Sequence, residues 1–480
     1  MILGWSEGFH DAAVAVLDGP DIVFASHSER FSGNKHEKYI SNQLRDYVDA
    51  RFGEEIDQYA FFEKPLLKKS RQLYAGQYKT VFTPRQLAWK PTSTFHHHKS
   101  HAAAAFQTSD LSEASAVVVD SIGEWTTTSI WKCYYKNGKA VYEQKHNVNY
   151  PQSIGLWYTA LTQWCGLRPL DEEYIFMGMA AFGKENVSLQ SALRELFKYN
   201  LHRGIPRDFA DNYWLYDYKH EDIAAAAQVV LEEKLSKIFF KAKMYSDNIV
   251  YGGGVALNCV ANSKLHRMVP GKFWIMPNPG DAGGSLGAAA LAYGGPLNWT
   301  DPYLGYRING YDEKEMVNDI VNHLMKHKIC GVANGPAEFG PRALGNRSLL
   351  ADPRGNDIKD LVNTVKKRQK FRPFAPCVLE EHAEKYFEGP YGEYMQFVSQ
   401  AKPRWHKKLP AILHVDNSCR VQTVGKKEDT ILRKVLELWY KKTKCPVLLN
   451  TSLNIRGEPM VNSPNDAVRF EKKYKIKVFS

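Results

Sequence analysis

AAVAVLDGPDIVFA, at residues 12–25, predicts two β-strands joined by a tight turn, because small and β-branched residues flank an Asp-Gly-Pro sequence. A second hairpin of this kind begins with AVVVD at residues 116–120 and continues with TTTSIW at residues 126–131. In each hairpin an acidic residue lies beside small residues. The repetition predicts an internally duplicated α/β core. Helical stretches are expected at residues 193–199 and 223–242.

Two Gly-rich segments follow these hairpins in the chain, GGGVALN at residues 252–258 and PGDAGGSLG at residues 279–287. The second leads into an Ala-rich helix expected at residues 288–292. Glycines before a helix N-terminus bring backbone N–H groups close to an anion. A single Gly cluster is most often only a turn. Two of them beside duplicated acidic hairpins favour a nucleotide cleft.

A domain boundary is expected at residues 294–311, where the chain is rich in Gly, Pro, Asn and Asp and loses its periodicity. This predicts a first domain of residues 1–296, a linker of residues 297–311 and a second domain of residues 312–480. The second domain begins with an expected helix at residues 313–328.

The composition is that of a globular protein, with 44% hydrophobic and 24% charged residues among 480. No apolar run approaches the ~18 residues that cross a bilayer, and the first residues lack the basic and apolar regions of a signal peptide. The seven cysteines are scattered without a CxxC pair, which argues for free thiols and against a disulfide frame or a structural zinc. We therefore expect a cytoplasmic protein with no membrane partner.

The net charge of +11 is concentrated near the end of the chain. Residues 401–480 hold 18 Lys and Arg against 7 Asp and Glu, a difference equal to the whole surplus. Forked Arg donors beside small polar residues suit a phosphate group. One such cluster is most often a solvated loop, whereas four in one domain favour a small anionic substrate. The four clusters are residues 338–348, 366–374, 416–423 and 450–459.

A candidate metal site begins in HHHKSHAAAAF at residues 96–106. The alanines favour a helix, and a spacing of four residues puts His97 and His101 on one face, where two imidazoles can chelate a divalent metal. The alternative is a polar helix start with incidental histidines. Carboxylates must complete the site, and Asp120 after the second hairpin and Asp281 in the Gly turn are the natural suppliers. Two histidines with carboxylates suit iron or manganese better than structural zinc.

A second basic region interleaves cations with aromatic residues. This combination is the usual surface for a nucleic-acid strand with exposed bases. The alternative is that the aromatic residues belong to the core and the lysines to a solvated helix. The residues are Lys64, Lys68, Lys69, Arg71, Lys79, Arg85 and Lys90 with Tyr74, Tyr78, Phe82 and Trp89.

With these segments assembled, the chain resembles the ATP-dependent O-carbamoyltransferases of the nodulation, cephamycin and tobramycin type over almost its full length. The segments that carry the resemblance are HDAAVAVL (10–17), ERFSGNKH (29–36), HHHKSHAAAAF (96–106), VVVDSIGEWTTTS (117–129), MGMAAFG (177–183), GGGVALNCVAN (252–262), PGDAGGSLGAA (279–289), EFGPRALGNRSLLADPR (338–354), FRPFAP (371–376), HVDNSCRVQTV (414–424) and LNTSLNIRGEP (449–459). So many ordered segments make the match specific.

The resemblance implies an N-terminal domain of the actin/Hsp70/sugar-kinase (ASKHA) superfamily and a smaller YrdC-like α/β domain. It implies that carbamoyl phosphate and ATP become carbamoyl-adenylate in the second domain, and that the carbamoyl group then passes to the metal-containing first domain and on to a hydroxyl. By matching motif, the metal would be held by His97, His101, Asp120 and Asp281. The nucleotide site would be lined by Gly252, Gly253, Asn258 and Gly283, with magnesium accompanying the ATP. Carbamoyl phosphate would be held by Lys366, Arg372, Arg420, Asn450 and Ser452, with Arg342 nearby.

The acceptor hydroxyl needs a base, and His10 or Asp11 is the candidate. The alternative for His10 is a hydrogen-bonded turn histidine. We favour a hydroxymethylated pyrimidine in DNA, such as 5-hydroxymethylcytosine, as the acceptor, because the basic regions suit a polyanion and base flipping would present a primary hydroxyl.

Other functions stay open at this point. A small-molecule or sugar hydroxyl is the alternative acceptor, and tRNA threonylcarbamoyl transfer is a third, disfavoured by the full second domain. A non-catalytic nucleotide-binding scaffold is disfavoured by the intact set of metal and phosphate residues. The sequence leaves the oligomeric state open.

Overall fold

The structure is a computed structural model that describes residues 1–83, 87–310, 312–355, 357–369 and 372–480. The chain forms two compact units. The N-terminal unit comprises residues 1–25 and 38–300, and the C-terminal unit comprises residues 26–37 and 301–480. Residues 26–37 therefore leave the first unit for the second, which the sequence did not indicate. Arg85 and Phe371, each part of a predicted surface or motif, lie outside the described residues, as does Tyr311 of the predicted linker.

The strands of the N-terminal unit belong to two sheets. They are β1 (Ile2–Ser6), β2 (Ala13–Asp18), β3 (Asp21–His27, whose last two residues are counted with the C-terminal unit), β4 (Gln58–Phe61), β5 (Ser93–Thr94), β6 (Glu113–Val119), β7 (Thr126–Lys136), β8 (Lys139–Asn149), β9 (Ile249–Gly252) and β10 (Phe273–Ile275).

The helices of the first 300 residues include one in the segment that belongs to the C-terminal unit, α1. They are α1 (Glu29–Ser32), α2 (Asn42–Phe52), α3 (Pro65–Tyr74), α4 (His97–Phe106), α5 (Ile154–Trp164), α6 (Glu173–Met179), α7 (Val187–Glu195), α8 (Arg207–Asn212), α9 (His220–Ala242), α10 (Cys259–His266) and α11 (Gly283–Tyr293).

The two sheets of the N-terminal unit repeat one topology. The first has the order β3-β2-β1-β4-β5 and the second the order β8-β7-β6-β9-β10. In each, the central strand is antiparallel to the strand that follows it and parallel to the strand on its other side. This repetition confirms the duplicated α/β core predicted from the hairpins. The strand β1 was not predicted, because a short run buried on both faces has no alternation to reveal it.

Helices α4 and α11 pack closely against each other, and α11 also packs against β1 whereas α4 packs against β6 and β9. A Cβ added to Gly287 of α11 would lie 1.9 Å from the carbonyl oxygen of Ser100 in α4, so a larger residue there would push the helices apart. The Ala-rich sequences of both helices serve the same close approach, because alanine fills little space. This packing fixes α4 beneath the carboxyl ends of β6 and β9.

Helix boundaries differ from the predictions where a capping signal was missed. The helix expected at residues 193–199 begins at Val187, because the side chain of Asn186 accepts the backbone N–H of Leu189 at 2.9 Å and caps its first turn. It ends at Glu195, and Leu196–Lys198 form a 3-10 turn. The helix expected at residues 288–292 begins at Gly283.

The C-terminal unit is built on a six-stranded sheet. The strands of the whole unit, in this sheet and in two smaller sheets, are β11 (Tyr303–Ile308), β12 (Ile329–Ala333), β13 (Gly335–Glu338), β14 (Arg347–Ala351), β15 (Ala375–Leu379), β16 (Phe387–Glu388), β17 (Ser399–Ala401), β18 (Ser418–Cys419), β19 (Gln422–Val424), β20 (Val447–Ser452) and β21 (Val478–Phe479). Its further helices are α12 (Glu313–His327), α13 (Ile358–Val365), α14 (Glu380–Tyr386), α15 (Ile431–Thr443) and α16 (Pro464–Tyr474).

The central sheet of this unit has the order β19-β15-β20-β14-β12-β21 and carries a core on each face. Leu350, Leu448 and Trp439 pack together on one face, whereas Leu349 and Leu449 pack on the other. The strand β11, which pairs with β13, occupies part of the predicted linker, so that segment is not purely a connection. None of the helices in the described residues is long and apolar enough to cross a membrane.

Candidate functional site

The metal ligands predicted from the sequence are brought together in the N-terminal unit. His97 and His101 lie on one face of α4, with their Nε2 atoms 3.0 Å apart. Asp120 Oδ2 lies 3.3 Å from both Nε2 atoms, and Asp281 Oδ1 lies 3.4 and 3.5 Å from them. Asp120 follows β6 directly and Asp281 lies in the loop between β10 and α11, so both carboxylates come from loops that follow strands of the second sheet.

These four residues, which we call the metal group, have the arrangement of ligands for a divalent cation. Their ligand atoms all lie within 4.8 Å of one another, and both histidines are buried. Burial alone would lower the pKa of each imidazole, but the carboxylates of Asp281 and Asp120 raise both pKa values. Two facing imidazole nitrogens with two carboxylates form a set of acceptors that a divalent cation neutralises, since its charge balances the two carboxylates.

A further carboxylate, Glu63, faces the other side of His97. Its Oε2 lies 3.7 Å from His97 Nδ1, and its Oε1 accepts a hydrogen bond from Lys68 Nζ at 2.5 Å. Both partners of this ion pair are buried. A carboxylate behind a metal-bound histidine fixes the ring and its tautomer. No local pattern in the sequence indicates Glu63, because it lies 34 residues before the helix that it orients.

Glu124 is a second acidic residue that the sequence analysis did not single out. Its Oε1 accepts the backbone N–H of His97 at 3.0 Å and that of Lys64 at 2.8 Å. A carboxylate at the first turn of α4 pairs with orphan N–H groups and with the helix dipole. Glu124 thus anchors the helix that carries the histidines to the loop after β4.

The predicted catalytic residues His10 and Asp11 contact each other in the loop between β1 and β2. His10 Nδ1 lies 2.9 Å from Asp11 Oδ2. Burial would lower the pKa of His10, but Asp11, and with it Asp281 and Asp120, raises this pKa to about 9. The carboxylates of the metal group therefore act on His10, and a cation bound among them would offset that effect.

The first Gly-rich turn is packed against the metal group. Gly253 has a φ of 87°, and an added Cβ would lie 2.3 Å from the carbonyl oxygen of Val119. Its neighbours Gly252 and Gly254 border His101 and Asp120 in the same way. The second turn leads into α11 at Gly283, as expected of a helix N-terminus.

Asn258, predicted to contact the nucleotide, has its side chain engaged within the fold. Its Oδ1 accepts the N–H of Ala261 at 2.9 Å, capping α10, and its Nδ2 donates to Gln228 Oε1 at 3.0 Å. The structure therefore gives Asn258 a capping role, and the backbone of the turn is what remains available to a ligand.

Lys366 is the central cation of the C-terminal unit. It is buried, and its Nζ donates to the carbonyl oxygen of Ser452 at 2.6 Å, to Ser452 Oγ at 3.0 Å and to Asn454 Oδ1 at 2.7 Å. Burial, with the neighbouring cations Arg368 and Arg372, lowers the pKa of Lys366 well below its usual value. All three acceptors are neutral. An anion bound here would therefore supply the negative charge that balances this cluster of cations.

The other residues predicted to bind phosphate lie on the central sheet of the C-terminal unit or on loops next to its strands. Asn450 lies on β20, two residues before Ser452, and donates from Nδ2 to the carbonyl oxygen of Ala343, next to Arg342. Arg420 lies between β18 and β19, and its Nε is buried without a hydrogen-bond partner among the described residues. The structure thus links Lys366 directly to Ser452, and Asn450 to the loop that carries Arg342.

That loop is held by a residue absent from the predicted set, Glu338. Its Oε1 accepts backbone N–H groups from Leu344, Asn346 and Arg347 at 2.8, 3.0 and 3.2 Å. Arg30, in the 26–37 segment, donates from Nη2 to the carbonyl oxygen of Gly340 at 2.9 Å. The carbonyl groups of the loop are therefore fixed in orientation from both ends.

In the basic and aromatic region between residues 64 and 90, four of the ten described members are buried, so the interpretation as a nucleic-acid groove is wrong for those four. Lys68, Arg71, Phe82 and Trp89 are buried. Lys68 pairs with Glu63, and Arg71 Nε donates to the carbonyl oxygen of Glu124 at 3.1 Å. These cations support the metal group from behind. Tyr74 and Tyr78 are exposed.

Two family models together cover most of the chain. The model described as carbamoyltransferase N-terminus matches residues 1–80 and 71–290, and the one described as carbamoyltransferase C-terminus matches residues 321–480. The chain belongs to the carbamoyltransferase family. The metal group therefore lies in the part that matches the N-terminal carbamoyltransferase model, and Lys366 lies in the part that matches the C-terminal one.

Relatives of this carbamoyltransferase include nodulation proteins. Nodulation protein NolNO of Sinorhizobium fredii is 30% identical over 96% of this chain and 76% of its own length. Nodulation protein U of Rhizobium tropici is 36% identical over 44% of this chain and 39% of its own. The uncharacterized protein sll1178 of Synechocystis is 32% identical over 98% and 93% of the two chains.

Similar solved structures share little sequence with this chain. The activator of the 2-hydroxyisocaproyl-CoA dehydratase from Clostridium difficile has a TM-score of 0.37 and 13% identity, covering 61% of this chain and 94% of its own. HypF of T. kodakarensis has a TM-score of 0.37 and 12% identity, covering 61% and 47%.

Replacing His97 by alanine should abolish binding of a divalent cation, because it removes one of four converging ligands. With Mn²⁺ as the probe, we expect the wild-type protein to gain about 2.7 kcal/mol of unfolding free energy at 100 times the Kd, and the variant to gain none. Calorimetric titration and thermal melts would measure both effects. The exposed neighbour His96, replaced by alanine, is the matched control and should bind like the wild type. Unchanged Mn²⁺ affinity in the His97 variant would contradict the assignment.

Replacing Glu63 by glutamine should lower the affinity for the same cation by about 10- to 100-fold, which is the usual effect of losing a carboxylate that orients a metal ligand. The four ligands remain, so binding weakens without being lost. Competition with a chelator measures the affinity, and Glu143→Gln on the exposed strand β8 is the control. Equal affinities for the two variants would show that Glu63 has no part in the site.

His10 should titrate near pH 9 in the metal-free protein, since its pKa is raised by Asp11, Asp281 and Asp120. The raised pKa means that His10 stabilises the fold fully below pH ~6.5, the ordinary histidine value, and that this contribution is lost as the pH rises through about 9. NMR titration of labelled histidines, with His10→Gln for assignment, would measure the pKa. Asp11→Asn should lower it. An ordinary pKa in the wild type would refute the arrangement.

Proposed function

We propose that this protein is an ATP-dependent O-carbamoyltransferase that uses carbamoyl phosphate as donor. Its N-terminal unit, residues 1–25 and 38–300, is proposed to be of the ASKHA type, and its C-terminal unit, residues 26–37 and 301–480, to be YrdC-like. The duplicated sheets with the same strand order support the first assignment. The observation that carries the proposed function is the buried Lys366, surrounded by neutral acceptors and further cations in a member of the carbamoyltransferase family.

The first half-reaction is activation of the carbamoyl group in the C-terminal unit. Water cleaves carbamoyl phosphate into carbamate and phosphate, and a carbamate oxygen then attacks the α-phosphorus of ATP, which forms carbamoyl-adenylate and releases pyrophosphate. Lys366, Arg372, Arg420 and Arg342 neutralise phosphate charge as it develops. Ser452 Oγ accepts a hydrogen bond from Lys366 Nζ, so the hydroxyl and the ammonium group lie together at the proposed phosphate site.

The second half-reaction is transfer to the acceptor in the N-terminal unit. The acceptor oxygen attacks the carbamoyl carbon, AMP leaves, and the hydroxyl proton passes to a base. His10, oriented by Asp11, is the proposed base, with its pKa set by the charge that the metal group carries. A divalent metal, iron or manganese, held by His97, His101, Asp120 and Asp281 would supply Lewis-acid polarisation of the carbonyl. The turns at Gly252, Gly253 and Gly283 would bind nucleotide phosphates through their backbone N–H groups.

The acceptor is proposed to be a primary hydroxyl. The concentration of the +11 charge in residues 401–480 supports a polyanion such as hydroxymethylated DNA. Lys68 and Arg71 of the second basic region are buried and do not contribute to that argument, whereas Lys69, Lys79 and Lys90 are exposed. A sugar or other small hydroxyl compound is the alternative, and the relationship to nodulation proteins makes it the class to test beside DNA.

Variants of the two units should separate the half-reactions. Lys366→Met should lower carbamoyl-phosphate-dependent pyrophosphate release by roughly 100-fold or more, because a charge-neutralising donor is lost. His10→Ala should keep that release and lose the carbamoyl mass increment on the acceptor. A coupled pyrophosphate assay and mass spectrometry of hydroxymethylated duplex DNA and of a sugar panel measure the two steps.

Lys359→Met is the matched control for Lys366, since Lys359 lies on the neighbouring helix α13 and donates to a backbone carbonyl at 3.3 Å. It should release pyrophosphate like the wild type. Pyrophosphate release by the wild type without carbamoyl phosphate would refute the proposal that carbamoyl phosphate is the donor. Normal acceptor modification by His10→Ala would remove His10 from the mechanism.

A further inference from the structure

Two buried side-chain amides meet at the polar end of the central sheet of the C-terminal unit. Gln422 on β19 and Asn450 on β20 are each 1% exposed. Both strands pair with β15, where Ala375 lies opposite Asn450 and Cys377 lies opposite both Gln422 and Leu448. Residues directly opposite share a face, so Gln422, Leu448 and Asn450 lie on one face of the sheet. The same face is apolar beside and beyond Asn450, where Leu350, directly opposite Asn450, and Leu448 pack against α15.

The orientation of Gln422 is set by a backbone carbonyl. Its Nε2 donates to the carbonyl oxygen of Leu344 at 2.9 Å. The hydroxyl of Tyr303 donates to the same oxygen at 3.1 Å. Because a carbonyl oxygen only accepts, the amide nitrogen of Gln422 must face Leu344, and its Oε1 must face Asn450.

The orientation of Asn450 follows from that of Gln422. Its Nδ2 donates to Gln422 Oε1 at 2.7 Å and to the carbonyl oxygen of Ala343 at 3.2 Å. Both N–H groups of Asn450 are therefore used, and turning the amide over would set its oxygen against two acceptors. The remaining atom, Oδ1, is buried with no hydrogen-bond partner among the described residues.

A buried acceptor with no partner is costly unless a ligand or water supplies a donor. Asn450 lies on the strand that also carries Ser452, which Lys366 contacts, so this acceptor belongs to the proposed carbamoyl phosphate site. Of the two ends of carbamoyl phosphate, the phosphate suits the cations. The carbamoyl NH₂ is the donor that an unpartnered amide oxygen fits.

We propose that Gln422 is a specificity-determining positioning residue, which holds Asn450 so that Oδ1 accepts an N–H of the carbamoyl group. The inference rests on the proposed function. The site then distinguishes carbamoyl phosphate from acetyl phosphate, which has a methyl group in place of NH₂ and leaves Oδ1 unpaired. A site built to bond a donor rejects an analogue without it by as much as 10⁴- to 10⁵-fold.

The test compares carbamoyl phosphate with acetyl phosphate as drivers of ATP-dependent pyrophosphate release by the full-length protein. The wild type should prefer carbamoyl phosphate by at least ~10³-fold in kcat/KM. Gln422→Met keeps the volume but removes the acceptor that holds Asn450. It should raise the KM for carbamoyl phosphate by about 10-fold or more, leave kcat within about 3-fold, and reduce the preference by about 10-fold or more.

The matched control is Thr423→Val, the next residue on β19, which is buried on the opposite face of the same strand. It should change stability without changing the preference. Should Gln422→Met lose stability like the control and keep the wild-type preference, the amide pair is structural and the proposal is overturned. A wild-type preference near one overturns it without any variant, even if Gln422→Met fails to fold. Absence of carbamoyl-phosphate-dependent release in the wild type would instead refute the proposed function itself.

Discussion

The close approach of α4 to α11 is the constraint on which the N-terminal unit depends. Gly287 meets the backbone of Ser100, one residue before His101. A wider helix would shift both histidines away from Asp120 and Asp281, whose oxygens lie within 3.5 Å of them. Alanine and glycine in these helices are therefore required by the geometry of the charged group as much as by helix propensity.

The two units bury clusters of opposite charge. The N-terminal unit gathers carboxylates and imidazoles, and buries the ion pair of Glu63 and Lys68 behind them. The C-terminal unit gathers Lys366 and arginines among neutral oxygens. In both, burial makes an uncompensated charge expensive, so a ligand of the opposite sign would stabilise each group. This is the physical basis for assigning a cation to one and a phosphate to the other.

Much of the arrangement could be predicted from local patterns. The spacing of His97 and His101 fixed their common face, and the two hairpins indicated the duplication that the strand orders confirm. Local patterns failed for the buried members of the basic region after residue 64, because interleaved lysines and aromatic rings are equally compatible with a surface and with a core that buries ion pairs. Lys68 and Arg71 are buried because Glu63 and the backbone of Glu124 accept their hydrogen bonds.

The sequence by itself determined the duplicated core, the histidine pair, the candidate carboxylates and the basic character of the second half, because local spacing or composition indicates each of them. Only the tertiary structure decided that Glu63 lies behind His97, that Asn258 caps a helix, that residues 26–37 belong with the C-terminal unit, and that Gln422 holds Asn450. Each of these depends on side chains brought together from distant parts of the chain, or on which of several polar partners a buried group finds, and neither leaves a local trace in the sequence.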